Sequence, residues 1–339
     1  MKQWLETRQV LDRLAELERE GKRAALATVV RVRGSAYRHE GAKMVVAEDG
    51  STVGNVSGGC LEADVREVAL QVLRTGLSQR KEYCAGIDEI AAWDLGVGCE
   101  GSVEVFVCVE TASAAPERMR WRALLDGDAS FAVSTDLATG VRSILTRQGD
   151  TPDAPSIRNI KGREVFVDAF TPPPQLVIAG AGDDARHLAR LALDVGFRVV
   201  VVDRRPGLLT QERFPGAALV EGDGTSLGSR LLLTPDSYAV VMNHNYADDR
   251  EFLRALLDTP AEYVGMLGPR QRTERIIREI SATETVDEAR VFGPVGLDIG
   301  TDGAEQVALA VIAEVLAVRS GRSPASLRER RAPIHAEVE

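Results

Sequence analysis

LVIAGAGDDARHLARLALDVGFRVVVVD, residues 176–203, decides the fold of the C-terminal half. An apolar run is followed by Gly180-Ala181-Gly182, a helix-like segment and a second apolar run ending on Asp203. Gly180-x-Gly182-x-x-Ala185, with an acid 21 residues after Gly182, has the spacing of the dinucleotide fingerprint. In that fingerprint a pyrophosphate docks on a helix N-terminus and the acid binds a ribose hydroxyl. Gly180, Gly182 and Asp203 are therefore candidate nucleotide-binding residues. Asp183 and Asp184 would repel a pyrophosphate unless they turn away or cap the helix, and Arg204 and Arg205 suit either a 2′-phosphate or water.

Working outward, AALVE, YAVVMN and AEYVGML are further short apolar runs separated by helix-like segments. Such alternation predicts a doubly wound parallel sheet. The last helix, 304–321, reads as long and amphipathic, and the tail 321–339 as loose. Upstream, TPPP (171–174) is a stiff break, because consecutive prolines continue neither a helix nor a central strand. Residues 1–170 read as an α+β domain, 171–174 as a linker and 175–320 as the parallel-sheet domain. The first domain holds an amphipathic helix at 4–20, a strand at 25–32 and a hairpin turning at Asp49-Gly50. A helix starting near Cys60 (61–76), a strand at 102–110, a helix in PERMRWRALLDG and strands SFAVST, VRSILTR and REVFVDAF follow.

At 339 residues the chain exceeds one ordinary core, so two domains are expected. A formal charge of −10 leaves no broad cationic face for nucleic acid. The first residues are interrupted by charges every few positions, unlike a secretory segment, and no apolar run approaches the roughly 20 residues of a membrane span. The expected location is the cytoplasm. Cys60, Cys84, Cys99 and Cys108 form no CxxC pair, and the histidines are scattered, which argues against structural zinc. Free thiols with individual roles are expected in a reducing compartment.

VSGGCLEADV (56–65) sets two glycines directly before Cys60 at an expected helix start. Glycines let a ligand approach the backbone closely, and a helix N-terminus favours anions. Ser57 and Cys60 are the residues near the cap. A thiol there suits a nucleophile or a soft-metal ligand; the alternative is a small buried hydrophobe. Cys99, in GVGCEGS, is a second glycine-flanked thiol that either shares the cavity or is structural; Cys84 and Cys108 read as strand and core residues. The loop RVRGSAYRHEGAKM places Arg33, Arg38, His39 and Lys43 around Gly34 and Gly41. That composition suits a phosphate, with Arg38 and Lys43 foremost, or else a solvated charged turn.

Together GSAYRHEGAKM, GNVSGGCLEA, GCEGSVEVFV, LVIAGAG, AEYVGMLGPRQR and PVGLDIG resemble the xanthine dehydrogenase accessory (XdhC/CoxI) family over roughly residues 20–320. The resemblance implies a maturation factor that binds molybdenum cofactor and helps deliver it to molybdenum hydroxylases of the xanthine or carbon monoxide dehydrogenase type. It also implies an N-terminal domain bearing the GGC motif and a Rossmann-like C-terminal domain. By position, Cys60 falls on the family cysteine, Gly58 and Gly59 on its glycines and Glu62 on the acid that follows. Gly41, Lys43 and Met44 match its GAKM segment, Asp298 its GLDIG acid, and Arg270 its basic segment. The chain departs from the family at Asp183, where histidine is frequent, at Met242–Asn245, where THDH-like segments are frequent, and at Glu100. The implied partners are an apo molybdenum hydroxylase and a sulfurtransferase, with a homodimer as the default assembly. No GxSxG, HExxH or P-loop signature is present, which favours a cofactor-insertion chaperone over an enzyme. Two other readings remain: an NAD(P)-dependent oxidoreductase using Gly180, Gly182 and Asp203, and a scaffolding partner without cofactor affinity.

Overall fold

A computed structural model describes residues 2–34, 36–84, 101–146 and 154–331. The chain parts into two units between Pro172 and Pro173. The first begins with α1 (Lys2–Arg19), β1 (Ala24–Gly34), β2 (Lys43–Ala47), β3 (Thr52–Gly54), α2 (Glu62–Thr75), β4 (Gln79–Cys84) and β5 (Gly101–Glu110). It continues with α3 (Ala115–Leu124), β6 (Phe131–Asp136), β7 (Arg142–Leu145), β8 (Ser156–Ile160) and β9 (Arg163–Phe170). Two antiparallel sheets result, in the orders β3-β2-β1-β5-β4 and β7-β6-β9-β8.

Side chains alternate across a strand, so the apolar runs of the larger sheet serve two cores at once. Ala25, Ala27, Val29, Met44, Val46, Val105 and Val107 face α2, where they meet Val65, Ala69 and Val72. Ala24, Leu26, Val45 and Ala47 face α1 and α3, and Val30, Phe106 and Cys108 meet Phe166 of the smaller sheet. A bulge between Val29 and Arg31 shifts the β1–β5 register. It returns Val32 to the α2 side, opposite Val103. α2 ends where Gly76 adopts φ 72°, the left-handed stop that glycine accepts without strain. In the hairpin turn only Gly50, and not Asp49, takes a positive φ.

The second unit runs β10 (Gln175–Ala179), α4 (Asp183–Val195), β11 (Arg198–Asp203), β12 (Ala218–Glu221), α5 (Leu227–Arg230) and β13 (Ser237–Val241). α6 (Tyr246–Leu257), β14 (Tyr263–Met266), α7 (Arg270–Ser281), β15 (Val291–Phe292) and α8 (Ala304–Arg319) complete it. Its sheet is parallel throughout, in the order β12-β11-β10-β13-β14-β15. One face packs Val177, Ala179, Val241 and Val264 against Phe252, Leu253, Leu256 and Ile276 of α6 and α7. α4 and α8 pack together beside the sheet. α8 is apolar around most of its circumference rather than amphipathic: Ala308, Val311, Ile312 and Val315 are buried, and Leu309 is half exposed. β8 and β15 are too short and too polar or isolated to stand out in the sequence.

The order of the sheet reverses between β10 and β13, and a crevice at such a switch point is where this fold binds ligands. Gly180 sits there at φ 121°, and a Cβ on it would lie 2.6 Å from the carbonyl oxygen of Met242, at the end of β13. Gly180→Ala is therefore expected to destabilise the second unit by about 3 kcal/mol, from overpacking plus a strained φ, as read from urea denaturation.

Candidate functional site

The corner before α2 is shaped by one serine and one glutamate. The Ser57 hydroxyl accepts from the amides of Gly59 and Leu61, both at 3.1 Å. Glu62 reaches back to accept from the amides of Val56 (3.1 Å) and Ser57 (2.8 Å) and from the Ser57 hydroxyl. Burial raises the Glu62 pKa, but the hydrogen bonds from Ser57 and Val56 outweigh it and hold the carboxyl below its usual range. Among the described residues the amides of Gly58 and Cys60 donate to nothing. Gly58 and Gly59 are exposed, Ser57 is buried and Cys60 is half-buried. Gly59 adopts φ 116° with no atom within 4 Å of where a Cβ would stand, so the corner opens outward there.

Helix α2 starts at Glu62, two residues after Cys60; Leu61 precedes it without a side-chain cap, and the Ser57 hydroxyl takes only the Leu61 amide at this end. The positive helix end is thus met by the carboxylate of Glu62, and the thiol stands two residues outside the helix. One side of Cys60 packs against the core beneath α2.

The cations of the preceding loop are largely spoken for. Arg38 forms a two-point ion pair with Glu6, with Nη1 at 3.0 Å from Oε1. Arg33 lies 3.8 Å from Glu82. Lys43 is a correction to the sequence reading: it is buried, pairs closely with Asp168 and donates to the Gly41 carbonyl at 2.7 Å. Its ammonium also lies 5.4 Å from the centre of the Trp121 ring and 5.3 Å from that of Phe170. Burial draws both partners toward neutrality, Lys43 downward and Asp168 upward, against their mutual attraction. Lys43 cannot meet a ligand. Arg38 keeps one face on a cavity of about 250 Å³ that Tyr37, His39 and Glu6 also line.

Of the other thiols, Cys108 is buried as expected, and burial pushes it up to about 11 despite Arg142 at 3.2 Å. Cys84 is exposed at the end of β4, contrary to a core role. Cys99 and Glu100 lie outside the described residues.

In the second unit the turn after β10 has the predicted outline but internal partners throughout. Asp203 is 1% exposed. Its Oδ2 accepts from the Ala181 amide (2.7 Å) and Arg205 Nη2 (2.8 Å), and its Oδ1 from the Arg205 amide (2.8 Å) and Nε (2.9 Å). A carboxylate has about four acceptor positions, and here all are filled. Burial raises its pKa, and these bonds, led by Arg205, more than reverse the effect. Asp183 pairs sideways with Arg213 (3.1 Å) and Asp184 lies 3.5 Å from His244, while neither caps the helix. Arg204 pairs with Asp248 at 3.2 Å, so both arginines after the acid are engaged. His244 takes φ 58°, and its ring lies 3.9 Å from the Cβ position of Gly182. Asp298 and Arg270 are exposed. Glu314 holds the start of the loop carrying Asp298 by accepting from the Gly296 amide at 2.9 Å.

Residues 17–83 match the model of the XdhC and CoxI family, and residues 176–315 match that of the XdhC Rossmann domain. A probable xanthine dehydrogenase component from Bacillus subtilis is 31% identical over 327 residues, spanning 91% of this chain and 96% of the relative. The chain belongs to the XdhC and CoxI family. The molybdenum cofactor insertion chaperone PaoD of Escherichia coli is 28% identical over 88% of this chain and 84% of its own length. The crystal structure of a xanthine dehydrogenase from Bacillus halodurans superposes with a TM-score of 0.75 at 28% identity, covering 93% of this chain and 97% of that one.

Within this XdhC/CoxI chain the structure brings Ser57, Gly58, Gly59, Cys60 and Glu62 into one corner and adds Tyr37, which sequence reasoning passed over. The signal was present: Tyr37 is the aromatic residue in the glycine-bounded charged loop 34–41. Removing Asp168 by Asp168→Ala orphans a buried lysine and is expected to destabilise the first unit by about 3–5 kcal/mol, whereas Lys43→Met with Asp168→Leu recovers most of that loss; urea midpoints measure both. Glu62→Ala is expected to speed labelling of Cys60 several-fold, mapped by peptide mass spectrometry. Because the folded pKa of Glu62 is depressed, its contribution holds above the unfolded value and is lost as pH falls through the folded one. The ratio of variant to wild-type labelling rates should therefore approach one in acid.

Proposed function

We propose that this XdhC/CoxI-family chain is a maturation factor that binds molybdenum cofactor as cargo and delivers it to an apo molybdenum hydroxylase of the xanthine or carbon monoxide dehydrogenase type. The observation that carries this reading is the Gly58-Gly59-Cys60 corner, with an outward-opening glycine pair beside a half-buried thiol. The cargo has a flat pterin, a phosphate and a soft dithiolene holding a metal. A thiol suits the soft metal end, and glycines allow the close approach that a bulky cargo needs. The unpartnered amides of Gly58 and Cys60 offer donors for its anionic oxygens. Cys60 is the residue assigned to the metal. The chain acts in the cytoplasm as a homodimer, and a sulfurtransferase is a second partner of the same site.

The competing reading, an NAD(P)-dependent oxidoreductase, asks Asp203 for a ribose contact. All acceptor positions of Asp203 are held by Ala181 and Arg205, and a ribose would have to displace them. The cofactor-handling reading is therefore favoured.

Protein purified from a host that makes the cofactor is expected to carry molybdenum and pterin at about one per protomer. Cys60→Ser should lower retained molybdenum by about tenfold or more, a loss of one good metal–sulfur contact at 1.4 kcal/mol per factor of ten. Equal retention by wild type and Cys60→Ser would remove the thiol from the site.

A further inference from the structure

Tyr37 is 69% exposed. It is nevertheless held against the corner. A Cβ built on Gly58 would lie 3.3 Å from Cγ of Tyr37, 3.4 Å from Cδ1 and 3.6 Å from Cδ2. A point nearly equidistant from three adjacent atoms of a hexagon lies near the axis of the ring. Gly58 therefore faces the flat of the phenol ring and not its rim, and the absence of a side chain at Gly58 lets the ring lie over the corner. Cys60 follows two residues later in the same turn. Tyr37 also borders the cavity that Arg38 and Glu6 line.

An exposed aromatic face beside a glycine pair is a platform for a flat heteroaromatic ring. Stacking on such a face depends on planarity and tolerates varied ring substituents. We propose that Tyr37 is the stacking platform for the pterin ring of the cargo, with Cys60 meeting the metal end across Gly58 and Gly59. This inference rests on the cofactor-handling reading above and adds the residue that recognises the organic part. The phenol hydroxyl is not needed for stacking, so Tyr37→Phe keeps the platform and Tyr37→Ala removes it. Gly58→Ala perturbs the same contact from the other side, since its methyl group would press on the ring.

Wild type, Tyr37→Phe, Tyr37→Ala, Gly58→Ala and Cys60→Ser are incubated with molybdenum cofactor freed from a molybdenum enzyme and desalted. Retained molybdenum and retained pterin are then measured separately, and thermal melts confirm folding. Tyr37→Phe should match wild type. Tyr37→Ala should lose affinity for the pterin by about tenfold or more, the range of an aromatic stacking contact. Gly58→Ala should fall between them. If Tyr37→Ala holds the pterin as tightly as wild type while Cys60→Ser loses metal, the stacking role is wrong and cofactor handling stands. Equal losses in Tyr37→Phe and Tyr37→Ala would assign the effect to the hydroxyl and overturn stacking. Failure of the wild type to retain any pterin would overturn both.

Discussion

The carboxylate of Glu62 closes the corner on which the candidate site depends. It begins helix α2 and at the same time reaches back to the amides of Val56 and Ser57, while Ser57 gathers the amides of Gly59 and Leu61. The exchange resembles a capping box in its reciprocity, but it ties down the loop that enters the helix and not the first-turn amides of the helix itself. The consequence is selective. Four amides are tied down, and those of Gly58 and Cys60, on either side of the left-handed Gly59, are left for something else. A loop secured at both ends can leave its middle exposed without unravelling.

The second unit shows how a fold and a function come apart. β10, the glycine turn, α4 and β11 follow the order of a dinucleotide-binding unit, and the sheet reverses where that fold usually binds ligands. Yet the charges that would contact a dinucleotide are paired among themselves. Asp203 is shared between Ala181 and Arg205, Arg204 answers Asp248, and the acids opening α4 answer Arg213 and His244. The helix N-terminus, normally an anion site, already carries two carboxylates in its first turn. Fold alone therefore says little about chemistry here.

Much of the fold was legible in the sequence because apolar periodicity is a local signal. QLVIA, RVVVVD and YAVVM are buried strands whose alternation with helices dictates a parallel sheet, and the prolines at 172–174 coincide with the division into units. Partnership was less legible. Lys43 reads as a loop cation only if its neighbours are ignored: it shares the strand face of Val45 and Ala47, which points into the core, and Asp168 shares the face of Phe166 and Phe170. A charge in phase with core residues signals a buried partner, but its partner lies 125 residues away and periodicity does not name it. The start of α2 was legible to within one residue, the run 61–76 standing against Glu62–Thr75. Hydrophobic spacing marks a helix to within a residue or two at each end.

For the proposed role of holding and releasing a cargo, the three described cysteines differ in burial and surroundings. Cys108 is buried beside Phe106 and Phe166, and its raised pKa keeps it protonated and out of reach. Cys84 is exposed at a strand end, next to Ser102 in register. Cys60 lies between these extremes. Its inner side rests on the core beneath α2, which limits its motion, and its outer side adjoins Gly58 and Gly59, which leave room for a bulky partner. Backing by the core fixes where the sulfur stands, and the missing side chains decide what can approach it. A metal-bearing cargo needs both conditions at one sulfur, because a freely moving thiol would bind without direction and a buried one would not bind at all.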